Sequence, residues 1–223
     1  MFTSIARRYD LLNHVLSMNV DRTWRRALVR AAQPVTPRQV LDVATGTGDV
    51  AIAFARHSDA DEIVGIDPSE GMLEVGREKI ERLGLGNRVR MQAGDALALP
   101  YEDAAFDVVS IAFGLRNLPD FGAGMAEMAR VLRPGGRLLV LEFFPPRGGL
   151  FLQAYRFYLG RVLPLAGRII SGSPEAYHYL AASIESFVSH EDIRRMMGAS
   201  GLVHRKATRL TGGIAWIHEG ERA

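Results

Sequence analysis

The 223-residue chain contains no cysteine, which excludes thiol catalysis, a disulfide framework and cysteine-based zinc sites but constrains the compartment only weakly. No apolar run reaches the roughly 20 residues that span a bilayer. The stretch MFTSIARRYDLLNH carries charges where a secretory core would lie, so a cytoplasmic location is the default expectation. A large charge of one sign is missing too. The formal net charge is +2, and no basic stripe interleaved with aromatics argues for nucleic acid. No two of the six histidines stand at i, i+4 beside an acid, so no metal is expected. Internal repeats, low-complexity tracts and polar linkers are also absent, and one domain over 1–223 is the economical reading.

What remains is a globular composition: 48% hydrophobic and 23% charged residues, enough to bury roughly 70% of the unfolded chain's surface. Basic residues cluster locally. Seven arginines face two acids over residues 1–40, and Pro145 to Ser173 is acid-free but holds Arg147, Arg156, Arg161 and Arg168.

The segment Ile5 to Ala32 has helical periodicity. QVLDVA (Gln39 to Ala44), DEIVGID ending at Asp67, RVRMQAGD, FDVVSIAF and GRLLVLEF (Gly136 to Phe143) read as five strands. Helical patterns follow from Asp49, from Ser69 to Leu83 and around Ala123 to Leu132. Strands alternating with helices predict an α/β fold with a doubly wound, mostly parallel sheet. Phe151 to Ile170 predicts one or two helices striped by Phe151, Tyr155, Tyr158, Val162 and Leu165. SHEDIRRMMGASG predicts a helix capped by Ser189 with Asp192 in the capping-box place and Gly201 past its end. Two strand-like runs around Gly212-Gly213 predict a closing antiparallel hairpin.

LDVATGTGD places Gly46, Gly48 and Ala51 on a G-x-G-x-x-A spacing, a weak signal alone. Two acids refine it. Asp42 lies four residues before Gly46, where a pyrophosphate would be repelled and an ammonium group held. Asp67, 21 residues after Gly46, is placed to accept from ribose hydroxyls. A ribose joined to a cationic amino-acid end describes S-adenosylmethionine. At the third strand's end Asp95 and Ala96 are placed to meet an adenine edge.

YDLLNHVLSMNVDRTWRR (Tyr9 to Arg26), LDVATGTGDVA, FGLRNLPD (Phe113 to Asp120), RVLRPGGRLLVLEF and YHYLAASIESF (Tyr177 to Phe187) resemble the ubiquinone/menaquinone biosynthesis C-methyltransferase family, within the class I S-adenosylmethionine-dependent methyltransferases. The resemblance runs from Arg7 almost to Gly220. It implies a Rossmann-like, seven-stranded sheet divided as a helical lid (1–35), a cofactor-binding core (36–145), a helical substrate-side insertion (146–200) and a hairpin (201–223). It also implies methylation of a ring carbon on a polyprenyl naphthoquinol or benzoquinol, with S-adenosylhomocysteine as product. Thr47 and Asp67 match the family's cofactor positions, Asp95 with Ala96 its adenine-contacting pair, and Arg116 with Asn117 its active-site pair. Ala44 stands where a glycine often begins the loop, and Ala112 where relatives can place a serine; with Thr47, Pro68 and Met72 they complete the cofactor set that the resemblance implies.

A sulfonium is already a potent methyl donor. The weak partner is an aromatic carbon, which needs its neighbouring phenol deprotonated and the resulting charge stabilised. Arg116 can supply that field, and Asn117 can donate to or accept from the ring oxygen. Tyr9, Asp10 and His14, or a water polarised by Arg116, are the candidate proton acceptors; Asp10 is equally suited to pair Arg7 or His14 on a helix face. Tyr177, Tyr179 and Phe113 are placed beside the substrate with His14, a core role being as good a reading for the two tyrosines. Trp24 and Trp216 read as core. The Phe151 to Ile170 stretch suits both an interfacial helix near anionic lipid, on the inner face of the membrane, and an ordinary core helix. A homodimer is compatible with the sequence, whereas a nucleic-acid partner is not expected.

Overall fold

A computed structural model of the chain describes residues 20–146, 148–162 and 182–223. Seven strands form one sheet: β1 (Gln39–Val43), β2 (Glu62–Asp67), β3 (Val89–Ala93), β4 (Phe106–Ala112), β5 (Leu132–Phe143), β6 (Leu202–Leu210) and β7 (Ala215–Arg222), in the order β3-β2-β1-β4-β5-β7-β6. The first five run parallel, while β7 is antiparallel to both β5 and β6. β-Branched and leucine runs such as Val40, Leu41 and Val43 suit strands buried on both faces.

Helices α1 (Val20–Ala32), α2 (Asp49–His57) and α3 (Glu70–Arg82) cover one face through Leu28, Phe54, Leu73 and Ile80. On the other face α4 (Phe121–Val131) and α6 (His190–Ala199) bury Met125, Met128, Ile193 and Met197. The capping box of α6 forms as expected from its sequence, with Ser189 and Asp192 exchanging side-chain and backbone hydrogen bonds. α5 (Gly149–Phe157) runs into a π-helical turn, Tyr158–Val162.

Pairing of β5 begins at Leu132, four residues before the Gly136 start that the sequence suggests. Leu132 pairs with Phe106 and Arg137 with Val108, so Arg133 to Gly136 loop out between them. Only a glycine fits at 136, because a Cβ there would lie 2.8 Å from the Arg133 carbonyl and 2.9 Å from that of Asp107. The hairpin forms between β6 and β7 across a 3-10 turn, Thr211–Gly213. Tyr155 in α5 is buried and Tyr158 at the start of the π turn half-buried, as their stripe requires, but Leu150 and Phe157 of α5 are 83% and 64% exposed.

The strand order reverses between β1 and β4, and this position decides where a ligand can sit. Crossovers leave toward opposite faces there, opening a crevice beyond the strands' carboxyl ends.

Candidate functional site

The loop leaving β1 turns on residues in the left-handed region: Ala44 at φ +53°, Gly46 at φ +56° and Gly48 at φ +80°. For the glycines this conformation costs nothing sterically, whereas Ala44 carries strain of about 1–2 kcal/mol. Phe113, at the end of β4, is likewise left-handed at φ +57°. The two loops meet at the switch point, where a Cβ on Gly114 would lie 2.6 Å from the Ala44 Cβ.

Asp42 is only 1% exposed, with one oxygen accepting from the Thr45 hydroxyl at 2.6 Å and the other from Ser110 at 2.8 Å. Burial pushes its carboxyl up to about 7 against those two hydrogen bonds and the Arg25 charge. The side chain therefore meets its own loop. Asp67, at the end of β2, accepts from the Gly46 N–H and the Ser69 N–H, both at 2.9 Å. Burial raises its pKa and the two backbone bonds oppose that. A carboxylate offers about four acceptor positions, so Asp67 keeps one on each oxygen, matching the two adjacent hydroxyls of a ribose.

Thr47 is buried and its hydroxyl accepts from Lys79 Nζ at 3.1 Å. Lys79 also pairs with Asp49 at the start of α2. Met72 is buried, with its methyl 3.6 Å from where a Gly46 Cβ would stand. Pro68 is exposed beside Asp67. Asp95 is exposed, with Oδ1 accepting from the Leu97 N–H at 2.9 Å, and Ala96 beneath it is buried. The left-handed turns, the acceptors remaining on Asp67 and the apolar floor under Gly46 fit an adenosine with a cationic amino-acid tail. The residues expected from the sequence to meet the cofactor thus gather along the ends of β1, β2 and β3, with Ala112 half-buried at the end of β4.

Arg116 lies in a 3-10 turn, Leu115–Asn117, and its side chain is 7% exposed. It forms an ion pair with Glu142, a residue that the sequence reading passed over. Glu142 is 0% exposed near the end of β5; its carboxylate takes Arg116 Nη1–H, the Arg116 backbone N–H at 3.3 Å and the Phe143 N–H at 3.0 Å. The guanidinium carbon stands 5.4 Å from the centre of the Phe143 ring, which stacks at 4.3 Å on Phe113. Trp24 of α1 caps both rings from 6.0 and 5.8 Å. Arg116 Nε is buried with no hydrogen-bond partner among the described residues. Asn117 is exposed and donates to the Phe113 carbonyl at 3.4 Å.

A cavity of about 260 Å³ is lined by Pro145, Tyr155, Arg156, Leu159, Ile184 and Glu185. Burial pushes the Tyr155 phenol up despite the opposing charge of Arg116, so the hydroxyl stays protonated as a donor. Sequence periodicity put Tyr155 on an apolar stripe and gave no sign of its nearness to Arg116. Three imidazoles, from α6, β7 and β6, form a chain. His190 Nδ1 is 3.0 Å from His218 Nε2, and His218 Nδ1 is 3.1 Å from His204 Nε2. Burial first, then the two neighbouring imidazoles, push His218 down to about 3.

Tyr9, Asp10, His14, Tyr177 and Tyr179 lie outside the described residues. Among the described residues no group of three or more His, Asp or Glu is placed to hold a metal ion, and no helix is long and apolar enough to cross a membrane.

The model of the ubiE/COQ5 methyltransferase family matches residues 1–222. The chain is 49% identical over 222 residues to the demethylmenaquinone methyltransferase of Thermus thermophilus, covering all of both chains. It is 50% identical to that of Deinococcus radiodurans, covering all of this chain and 91% of that one. Against the ubiquinone/menaquinone biosynthesis C-methyltransferase of Geobacter sulfurreducens identity is 45%, with 100% and 87% covered. A possible histamine N-methyltransferase of Thermotoga maritima superposes with a TM-score of 0.66 at 18% identity over 100% and 98% of the two chains. A methyltransferase of Aquifex aeolicus does so at 0.60 and 18% over 83% and 82%. These last two establish the fold alone.

Proposed function

Because the chain belongs to the ubiE/COQ5 methyltransferase family, we propose that it is an S-adenosylmethionine-dependent methyltransferase that converts demethylmenaquinol to menaquinol. The observation that carries this reading is the pairing of two unlike sites across one switch point. On one side Asp67 and the left-handed loop suit a ribonucleoside; on the other a cation sits over stacked aromatic rings.

When bound, S-adenosylmethionine supplies an electrophilic methyl whose bond to sulfur breaks with the electron pair left on sulfur. The protein's part is to hold the acceptor carbon in line and to favour charge on the neighbouring ring oxygen. Gly46, Thr47, Asp67, Met72, Asp95 and Ala96 would hold the cofactor, with Asp42 fixing the loop through Thr45 and Ser110. Arg116 stabilises the phenolate, and Phe113, backed by the stacked Phe143 ring, offers a flat apolar surface to a fused ring. Asn117 stands at the mouth, and the proton taken from the quinol passes to Tyr9, Asp10, His14 or water.

A benzoquinol acceptor is the second reading, favoured by the relative of 45% identity whose name covers both quinones. The isoprenoid tail would lead to a lipid surface, met by α5 through exposed Leu150 and Phe157 beside Arg156 and Arg161.

Mass spectrometry of lipid quinones from cells lacking the protein tests the reaction. Accumulation of a naphthoquinone one methyl short is expected. A benzoquinone one methyl short would support the second reading, and an unchanged quinone pool would sink both.

A further inference from the structure

We propose that Glu142 is a positioning residue for methyl transfer, fixing the guanidinium of Arg116 and offsetting its charge where the acceptor ring binds. The inference rests on the functional reading above, and its ground is the arrangement around one carboxylate. Three N–H groups converge on Glu142: Nη1 and the backbone N–H of Arg116, and the backbone N–H of Phe143. A single fully buried side chain thus ties the 3-10 turn to the end of β5 and orients both the backbone and the side chain of Arg116.

A buried carboxylate is expensive unless hydrogen-bonded and paired, and an apolar residue would fill the same space on β5 without that cost. Fixing the turn alone would require neither a charge nor contact with the guanidinium. Glu142 supplies both, and it leaves Arg116 Nε without a partner among the described residues. The guanidinium is thus held on one side and retains a donor for an oxygen that the protein does not provide. The pair as a whole is neutral, so it directs charge toward the ring oxygen without building up an excess.

Among the described residues, Arg116, Tyr158 of the π turn and Glu185 of the helical segment 182–185 act electrostatically on Tyr155 of α5, and on β7 His218 stands two residues beyond Trp216, the strand partner of Glu142, with His190 of α6 stacked on it. Tyr155 and Tyr158 both have raised pKa values through burial and stay neutral, and so does His218, which is pushed down to about 3. Removing the Glu142 charge then changes the local field in one direction. With Glu142→Gln the net charge rises, the bound quinol loses its proton more easily, and the acid limb of the kcat profile moves lower by about one pH unit. The guanidinium, no longer held by the carboxylate charge, loses alignment, and kcat falls about 100-fold.

The test is steady-state turnover of a short-tailed demethylmenaquinol by the full chain across pH, with calorimetric affinity for S-adenosylmethionine and melting temperature measured alongside. The expected result for Glu142→Gln is a lower kcat, an acid limb shifted down and cofactor affinity within about twofold of wild type. A loss of kcat with the limb unmoved, or in step with lost cofactor affinity, overturns the proposal and leaves Glu142 as a strut. Should Glu142→Gln fail to fold, Glu142→Asp carries the test, since it keeps the charge and shortens the reach: kcat falls with the limb in place, and an unchanged kcat overturns the proposal. Wild-type protein that methylates no demethylquinol sinks the functional reading itself. An active wild type with an unaltered Glu142→Gln variant sinks this inference alone.

Discussion

The two sides of the switch point are built on different principles. On the β1–β2 side the two acids are held by hydroxyls and backbone N–H groups rather than by a buried ion pair: Asp42 by Thr45 and, from β4, by Ser110, and Asp67 by Gly46 and Ser69. Its shape comes from backbone turns. On the β4–β5 side the shape comes from side chains that meet across 26 positions of sequence, Arg116 on Glu142, with stacked aromatic rings between strands. A nucleoside needs a fixed outline and two hydrogen-bond acceptors, which a loop provides by itself. A ring acquiring negative charge needs a held cation and a flat apolar wall, which no single loop supplies.

Substitutions on each side should therefore fail differently. The largest effect is expected from Arg116→Ala: turnover falls by about 100- to 1000-fold, while calorimetry finds cofactor affinity within about twofold. Equal loss of both would erase the division. Asp67→Ala should do the reverse, weakening cofactor binding by about 10- to 100-fold, as for a lost pair of bonds to a charged acceptor. Turnover at saturating cofactor should stay near wild type. Gly114→Ala strikes both sides at once, since its Cβ would stand 2.6 Å from that of Ala44. A loss of about 1–3 kcal/mol in denaturant unfolding is expected, with both functions reduced.

Acidity separates the two sides more gently. Native Asp42 holds its proton up to about pH 7 against 3.8 as its ordinary value, so its contribution to stability is full below about 4 and lost as pH rises toward 7. Native His218 stays neutral down to about 3 against an ordinary 6.5, so its contribution is full above about 6.5 and lost as pH falls toward 3. The slopes oppose each other between about pH 4 and 6.5. Unfolding curves for Asp42→Asn should then show stability rising with pH across that window, and for His218→Gln falling. The smallest effect is expected from Ala44→Gly: relief of a left-handed alanine, partly offset by glycine's greater freedom when unfolded, should raise stability by about 0.5 kcal/mol.

The same division explains what the sequence discloses. β1 through β5, the capping box of α6 and the hairpin at Gly212-Gly213 are legible because period and turn chemistry are local signals. Asp67 is legible for the same reason, its spacing from Gly46 following from one crossover. Glu142 is not, since an acid in VLEF reads as one polar residue in an apolar strand until the Leu115–Asn117 turn folds over it. The chain of His190, His218 and His204 is hidden likewise, because its members come from a helix and two strands that only the sheet order brings together. The looped-out Arg133 to Gly136 moved a strand boundary because turn residues there lie inside continuing pairing rather than before it.

β7 follows β6 along the chain yet lies between β6 and β5 in the sheet. During synthesis the sheet through β5 can assemble as it emerges, but β6 then has no edge to join. Its own pairing partner, and the strand that would carry it to the rest, is still to come. The β6 segment, with alternate residues such as Val203 and Arg205 exposed even in the finished fold, must wait unpaired until β7 arrives and inserts. That interval is when this edge is most open to chaperones or to a wrong strand.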